Sequence, residues 1–372
     1  MHFPKLSLTS LSFKLAVPLA AALAVSSCGF KHKKYENPIT AQTQQPDKIL
    51  YDKGIKDLEK GRYEIARITL NTLMNTYESS EYMAKAKLAV ADAWYREGGT
   101  RGRAQAEAEY KDFITFYPTM QEAAESQEKL CKIHFEQMDK SDRDPNESLR
   151  AEQECRQVLV LFPNSKFAPE VEQILRNIQE VLADSEMKVG DFYHHRGSYA
   201  SAANRLGGAV DQYPLYSRAG EALWLEGDSY TRLGPRYRQL AGDAYTRLVR
   251  DYPLSEFAEQ AKSRLKTLEM PIPAADPAAE ARMRFEKENQ THPGIFHRVT
   301  GFIRQNPDSG MAAKSGTPQM NPPKQSIPVT VPIPGSQAGF QGDVTVTPVA
   351  DPTALETNPD ARQQPQPAKP KP

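Results

Sequence analysis

The stretch Val189–Pro214, VGDFYHHRGSYASAANRLGGAVDQYP, decides the fold. Small and apolar residues recur at three- and four-residue intervals on both sides of Gly197, which predicts two amphipathic helices joined at that glycine. Glycine suits such a turn because it enters the left-handed backbone region without a steric penalty. Gly190, Ala202 and Ala209 are small enough for the paired helices to approach closely, while Tyr199 and Leu206 fill the remaining space. Tyr213-Pro214 then ends the second helix, since proline lacks the N–H and its ring clashes with the preceding turn. A hairpin of this kind cannot bury its apolar face alone, so it should recur.

It does. Similar punctuation stands at NTYESS (75–80), TFYPTM (115–120), LFPNS (161–165), DQYPLY (211–216) and RDYPLS (250–255), with offsets of about 40 residues and one of about 50. Gly54, Gly61, Tyr63, Ala66, Leu70 and Leu73 repeat the pattern, with Glu78 in the place of the closing proline. Two further repeats carry short insertions between their helices: Ala91, Trp94, Gly98, Ala106, Tyr110, Phe113 and Pro118, then Gly227, Tyr230, Gly234, Ala241, Tyr245, Leu248 and Pro253. A middle repeat keeps Ala151, Cys155, Val158 and Pro163 but inserts QMDKSDRDPNES (137–148), expected as an exposed loop. Ser80, Ser165 and Ser255 are placed to cap the helices that follow. The spacing resembles the tetratricopeptide (TPR) repeat. The expected fold is all-α: a right-handed α-solenoid of about five TPR helix pairs over residues 48–270.

Both ends differ from this region. Lys5 and Lys14 precede LAVPLAAALAV (15–25), an apolar run too short to span a bilayer and of the length of a signal-peptide core. Val25-Ser26-Ser27-Cys28 resembles the bacterial lipobox, which implies cleavage of residues 1–27 and acylation of Cys28. Multiple acyl chains suffice to hold a soluble domain on a membrane. Gly29 after the cysteine implies, in that lipoprotein class, sorting to the outer membrane. Residues 28–47 are polar and aperiodic and read as a tether, reaching up to roughly 60 Å when extended. Lys31, Lys33 and Lys34 near its anchored end suit anionic head groups or an ordinary solvated charge run equally well. Of 29 prolines, 18 fall from Pro271 onward, so 271–372 is expected as a mostly disordered, proline-rich tail. Within it, 278–304 carries Met283, Phe285, Ile295, Phe296, Val299, Phe302 and Ile303, enough for short amphipathic helices that cap the last repeat, bind a partner or form transiently.

Charge and chemistry narrow the function classes. Forty-seven basic residues balance 47 acidic ones, which gives no reason to expect nucleic acid. Three cysteines are too few for a disulfide framework, and Cys131 and Cys155 read as core residues. The chain has no HExxH, no G-x-S-x-G elbow and no phosphate-binding loop, so no cofactor, metal or enzymatic activity is expected. His194 and His195 point about 100° apart on a helix, a poor geometry for joint metal ligation. Asp92, Asp191 and Asp228 recur at one repeat position that faces the concave groove, either to hold basic groups of a partner or as ordinary surface charge. Tyr51, Ile55, Leu58, Leu88, Tyr95 and Arg96 collect on the same face of the first two repeats, an aromatic and aliphatic groove suited to a peptide.

Lipobox, short tether and five repeats beginning ILYDKGIKDLEKGRYEIARITLNTLMNTYESSEYMAKAKLAVADAWY (49–95) resemble the BamD family of lipoproteins of the outer-membrane β-barrel assembly machinery. The segment VLADSEMKVGDFYHHRGSYASAANRL (181–206) is especially similar to that family's fourth repeat. The resemblance covers roughly residues 28–268, with local departures at Glu78 and the 137–148 loop, and excludes the tail. It implies a non-catalytic scaffold on the periplasmic face of a Gram-negative outer membrane, held there by the lipid. The implied partners are a BamA-like barrel protein with POTRA domains, other lipoproteins of that complex, and unfolded outer-membrane proteins. On this reading Tyr51, Ile55, Leu58, Leu88, Tyr95 and Arg96 receive substrate, and Arg196, Tyr199, Arg205, Tyr216, Arg218 and Arg232 form the BamA-facing surface. The rival expectation is a TPR pilotin-type lipoprotein that assists secretin or pilus assembly.

Overall fold

A computed structural model describes residues 44–289, 307 and 309–322. The signal segment, Cys28 and most of the tether lie outside these, as do 290–306 and the end of the tail. The described residues form helices and no strands: α1 (Pro46–Glu59), α2 (Tyr63–Thr76), α3 (Met83–Glu97), α4 (Gly99–Phe116), α5 (Gln121–Phe135), α6 (Asn146–Leu161), α7 (Ala168–His195), α8 (Tyr199–Gln212), α9 (Ala219–Arg232), α10 (Arg238–Asp251), α11 (Ala258–Thr267) and α12 (Pro277–Asn289). The chain divides into two compact units, 1–133 and 134–372.

In the first unit α1 packs on α2, α2 on α3 and α3 on α4. Its cores are Leu50, Leu70, Leu73, Ala86, Ala89 and Val90, and then Ala91, Ala106, Tyr110, Leu130 and Ile133. In the second unit the same side-by-side order runs through α6, α7, α8, α9, α10 and α11. Each unit is thus a stack of helix hairpins of the TPR kind, and the spacing of small residues explains the stacking. A Cβ on Gly54 would lie 2.6 Å from Leu70 Cδ2, and one on Gly190 would lie 2.6 Å from Leu206 Cγ. Only glycine lets the large residue of the second helix reach the backbone of the first. Gly61 (φ 72°) and Gly197 (φ 76°) make the turns between those helices.

The aromatic-proline pairs end their helices as predicted. Tyr117, Phe162, Tyr213 and Tyr252 each donate their N–H to the carbonyl four residues back (2.8–2.9 Å), after which proline ends the ladder. Tyr77 has the same geometry, with φ −126° and ψ 66°, so Glu78 takes the proline's place without altering the turn. The serine caps need correction. The helices start beyond them, with Tyr82, Phe167 and Phe257 at the cap position. Ser80 and Ser255 Oγ accept from the N–H two residues on (3.1 and 3.3 Å), closing a turn before the helix, and Ser165 Oγ is buried without a partner.

Insertions are absorbed locally. The first lengthens α4 to 18 residues, and the second forms a short 3₁₀ turn, Pro235–Tyr237. The 137–148 loop is exposed at 142–146, but Met138 is buried and the Ser141 hydroxyl donates to Asp184 (2.5 Å). Cys131 and Cys155 are fully buried, as expected of core residues, but both are disulfide-bonded and so are not free thiols. Beyond the repeats, α12 forms within the expected 278–304 region, and residues 309–322 have defined contacts in the second unit, where disorder was expected.

Candidate binding surfaces

The first surface lies on α1 and α3. Tyr51 stacks on Tyr82 with ring centroids 5.1 Å apart and planes at 28°. Ile55 packs in the same cluster, while Leu88 and Tyr95 pack against the neighbouring one; Trp94 touches both. Arg67 lies over the Trp94 ring at 3.6 Å and pairs with Glu97, and Tyr95 meets Tyr110 edge-on at 6.4 Å. Burial, helped by the charges of Asp52 and Asp92, raises the Tyr51 phenol above its ordinary range. The result is a row of half-buried aromatic rings beside the exposed Arg96. Such rings offer large apolar contact area and polar edges.

Leu58 does not belong to this surface. It is 5% exposed and packs with Ala66 and Ala93, small residues that let α2 and α3 close over it. Tyr82 joins Tyr51 on this surface although it lies in the turn before α3, outside the repeating pattern, whereas Trp94, its ring covered by Arg67, packs against both cores as its repeat position predicts. Asp92 is occupied from within: it accepts from Tyr110 Oη (2.6 Å) and Lys129 Nζ (2.9 Å). Burial disfavours the Lys129 charge, yet Asp92 and Glu125 outweigh it and raise its pKa.

The six residues expected to face a partner in the second unit fall into separate groups. Tyr199 and Arg232 meet where α8 begins and α9 ends, with Arg232 5.4 Å over the tyrosine ring and 2.6 Å from Asp228. His194 Nε2 is 2.9 Å from the same carboxylate and stands edge-on to Tyr199. Burial opposes ionisation of Asp228, but hydrogen bonds from Arg232 and His194 hold its carboxyl below the usual range. Arg196 is exposed beside Phe192 (5.3 Å), and Arg205 pairs with Glu186 at 3.0 Å. Arg218 pairs with Glu221 (2.7 Å) and sits 3.5 Å from Asp184. Tyr216 is corrected to an interior residue, 4% exposed, because the proline turn folds it inward and its hydroxyl donates to Asp184 (3.1 Å). Asp191 pairs with His195 at 3.2 Å. Among the described residues no group of three or more His, Cys, Asp or Glu converges as a metal site.

Helix pairs that stack by small residues and carry half-buried aromatic side chains define a repeat protein of the TPR-like kind. The profile of the family described as YfiO, outer membrane lipoprotein, matches residues 43–245. The chain belongs to this family, that of BamD, and so is not an enzyme. It is 26% identical over 257 residues to the outer membrane protein assembly factor BamD of Neisseria meningitidis serogroup A, covering 67% of this chain and 94% of that protein. Its identity to BamD of Xylella fastidiosa Temecula1 is 26% over 230 residues (59% and 76% coverage) and to that of Pasteurella multocida 28% over 200 (51% and 76%).

Proposed function

We propose that the chain is a lipid-anchored assembly factor on the periplasmic face of the outer membrane, where it helps β-barrel proteins to insert. Family membership carries this reading, together with the row of aromatic rings on α1 and α3. Cys28 is the acylated residue, and residues 28–47 tether the repeats to the membrane. The oxidised state of Cys131 and Cys155 fits an exported protein, since disulfides persist in oxidising compartments.

Tyr51, Ile55, Leu88, Tyr95 and Arg96, now with Tyr82, receive the aromatic-ended terminal strand of an unfolded outer-membrane protein. Aromatic side chains stack on the rings and Arg96 meets the terminal carboxylate. Arg196, Tyr199, Arg205, Arg218 and Arg232 face a BamA-like barrel protein through its POTRA domains, with other lipoproteins of the complex alongside. Most of these arginines already hold internal carboxylates, so they would contribute rim charges that set association rate and orientation more than affinity. Affinity purification of the full chain from detergent-solubilised outer membranes tests this: a barrel with POTRA domains is expected to co-purify. A secretin in its place would favour the pilotin reading.

A further inference from the structure

Residues 309–322 return along the N-terminal half of α7 and run in the same direction as that helix. Gln173 Nε2 donates to the Ala313 carbonyl (3.1 Å) and Arg176 Nη1 to the Gly316 carbonyl (2.9 Å). Gln179 makes a two-way pair with Gln319: its Nε2 donates to the carbonyl (2.7 Å) and its Oε1 accepts from the N–H (3.0 Å). From α12, Glu286 accepts the N–H groups of Lys314 and Ser315 (both 2.8 Å) and the Ser315 hydroxyl (2.6 Å). All but the last of these bonds end on main-chain atoms of a segment that bends at 314–316 and passes through the left-handed Gly316, so the site reads a bent main chain more than its sequence.

The receiving groups are built in advance. Gln179 is 5% exposed, and its amide is oriented from behind by Glu152, to which Nε2 also donates (3.1 Å). Glu152 is itself buried and paired with Arg156 at 2.7 Å. The outward N–H and C=O of Gln179 therefore offer one donor and one acceptor to the main chain of a single residue opposite. The resident segment also leaves the site unfilled. Ala313 stands on the wall of a 340 Å³ cavity lined by Leu215, Tyr252, Phe257 and Met283.

We propose that this face of α7 and α12 receives a bent segment of another polypeptide, one with a large apolar side chain where this chain has Ala313. Residues 311–319 are the resident stand-in that the incoming segment displaces. This stands on the geometry of the second unit and not on the role proposed above.

Gly316 gives the means to open the site in the full chain. Its φ is +86°, and a Cβ there would lie 3.0 Å from Leu215 Cδ2, so Gly316→Val strains the segment and leaves Gln173, Gln179 and Glu286 intact. A labelled synthetic peptide of residues 309–322 is expected to bind Gly316→Val at least about tenfold tighter than wild type, because self-occupancy multiplies apparent affinity by the open fraction. The same peptide with Ala313→Leu should bind the opened protein about tenfold tighter again, as the leucine fills the cavity. Adding Gln179→Ala to Gly316→Val should erase the first gain. Ser315→Pro, which removes an N–H that Glu286 accepts, is the second opening variant if circular dichroism shows that Gly316→Val does not fold. Equal peptide binding by wild type and the opened proteins, insensitivity to Gln179→Ala, or no gain from the leucine would each overturn the proposal.

Discussion

Gly190 on α7 and Leu206 on α8 touch so closely that a Cβ on the glycine would lie 2.6 Å from the leucine Cγ. Gly190→Ala must therefore push the two helices apart or force Leu206 off its rotamer. Overpacking of this kind costs about 1–3 kcal/mol. Urea unfolding of the full chain should show the loss, and adding Leu206→Ala should recover part of it by making room. An unchanged midpoint for Gly190→Ala would contradict the packing account.

That contact explains how much of the fold was legible beforehand. Gly54, Gly190 and the turn glycines Gly61 and Gly197 are demanded by the backbone itself, so their spacing shows in the sequence. The length of α7 was less visible: 28 residues, with no glycine or proline between Pro169 and Gly190 to mark where the repeat begins. Its extra turns hold residues 309–322 through Gln and Arg side chains that bond main chain, and such contacts leave no periodic signature. Leu58 and Tyr216 were misplaced because repeat position shows which side of a helix a residue is on, not how far small neighbours such as Ala66 and Ala93 let the chain close over it.

Asp92 tests whether the recurring carboxylates are free for a partner. Tyr110 is fully buried and its hydroxyl ends on Asp92, as does the Lys129 ammonium. Asp92→Ala leaves the buried Tyr110 hydroxyl unpaired and Lys129 with Glu125 alone, and should cost roughly 1–3 kcal/mol. Thermal unfolding measures this directly; a neutral effect would mean that the carboxylate is not structural.

Glu180 gives the second unit a pH dependence. Burial pushes its carboxyl up to about 7, although the Ser217 N–H and hydroxyl favour the charged form. With a folded value above the unfolded 4.5, the folded chain holds the proton more tightly, so stability falls as pH rises from about 4.5 to about 7. Glu180→Gln copies the protonated acid and should flatten the decline between pH 4.5 and 8 by on the order of 2–3 kcal/mol. Parallel stability curves for wild type and variant would show that Glu180 titrates normally.

The aromatic row on α1 and α3 makes a separable prediction. Tyr51→Ala removes the ring that stacks on Tyr82 and should weaken capture of an aromatic-ended peptide about tenfold or more, as loss of a central aromatic contact does. Arg232→Ala, in the other unit, should leave that affinity unchanged. Anisotropy titration with a peptide ending in phenylalanine checks both.

If Cys28 is the acylated residue proposed above, Cys28→Ala should lose acylation and leave the membrane fraction while circular dichroism still reports folded repeats, because the described helices begin only at Pro46. Persistence of the variant in outer membranes stripped of its partners would remove the lipid from the account.

The most direct test of the assembly role is depletion of the protein in the living cell, followed by quantification of folded outer-membrane β-barrels in the membrane. Assembled barrels should fall together, with their unfolded precursors accumulating in the periplasm. Normal barrel levels, with loss of secretin multimers alone, would contradict it.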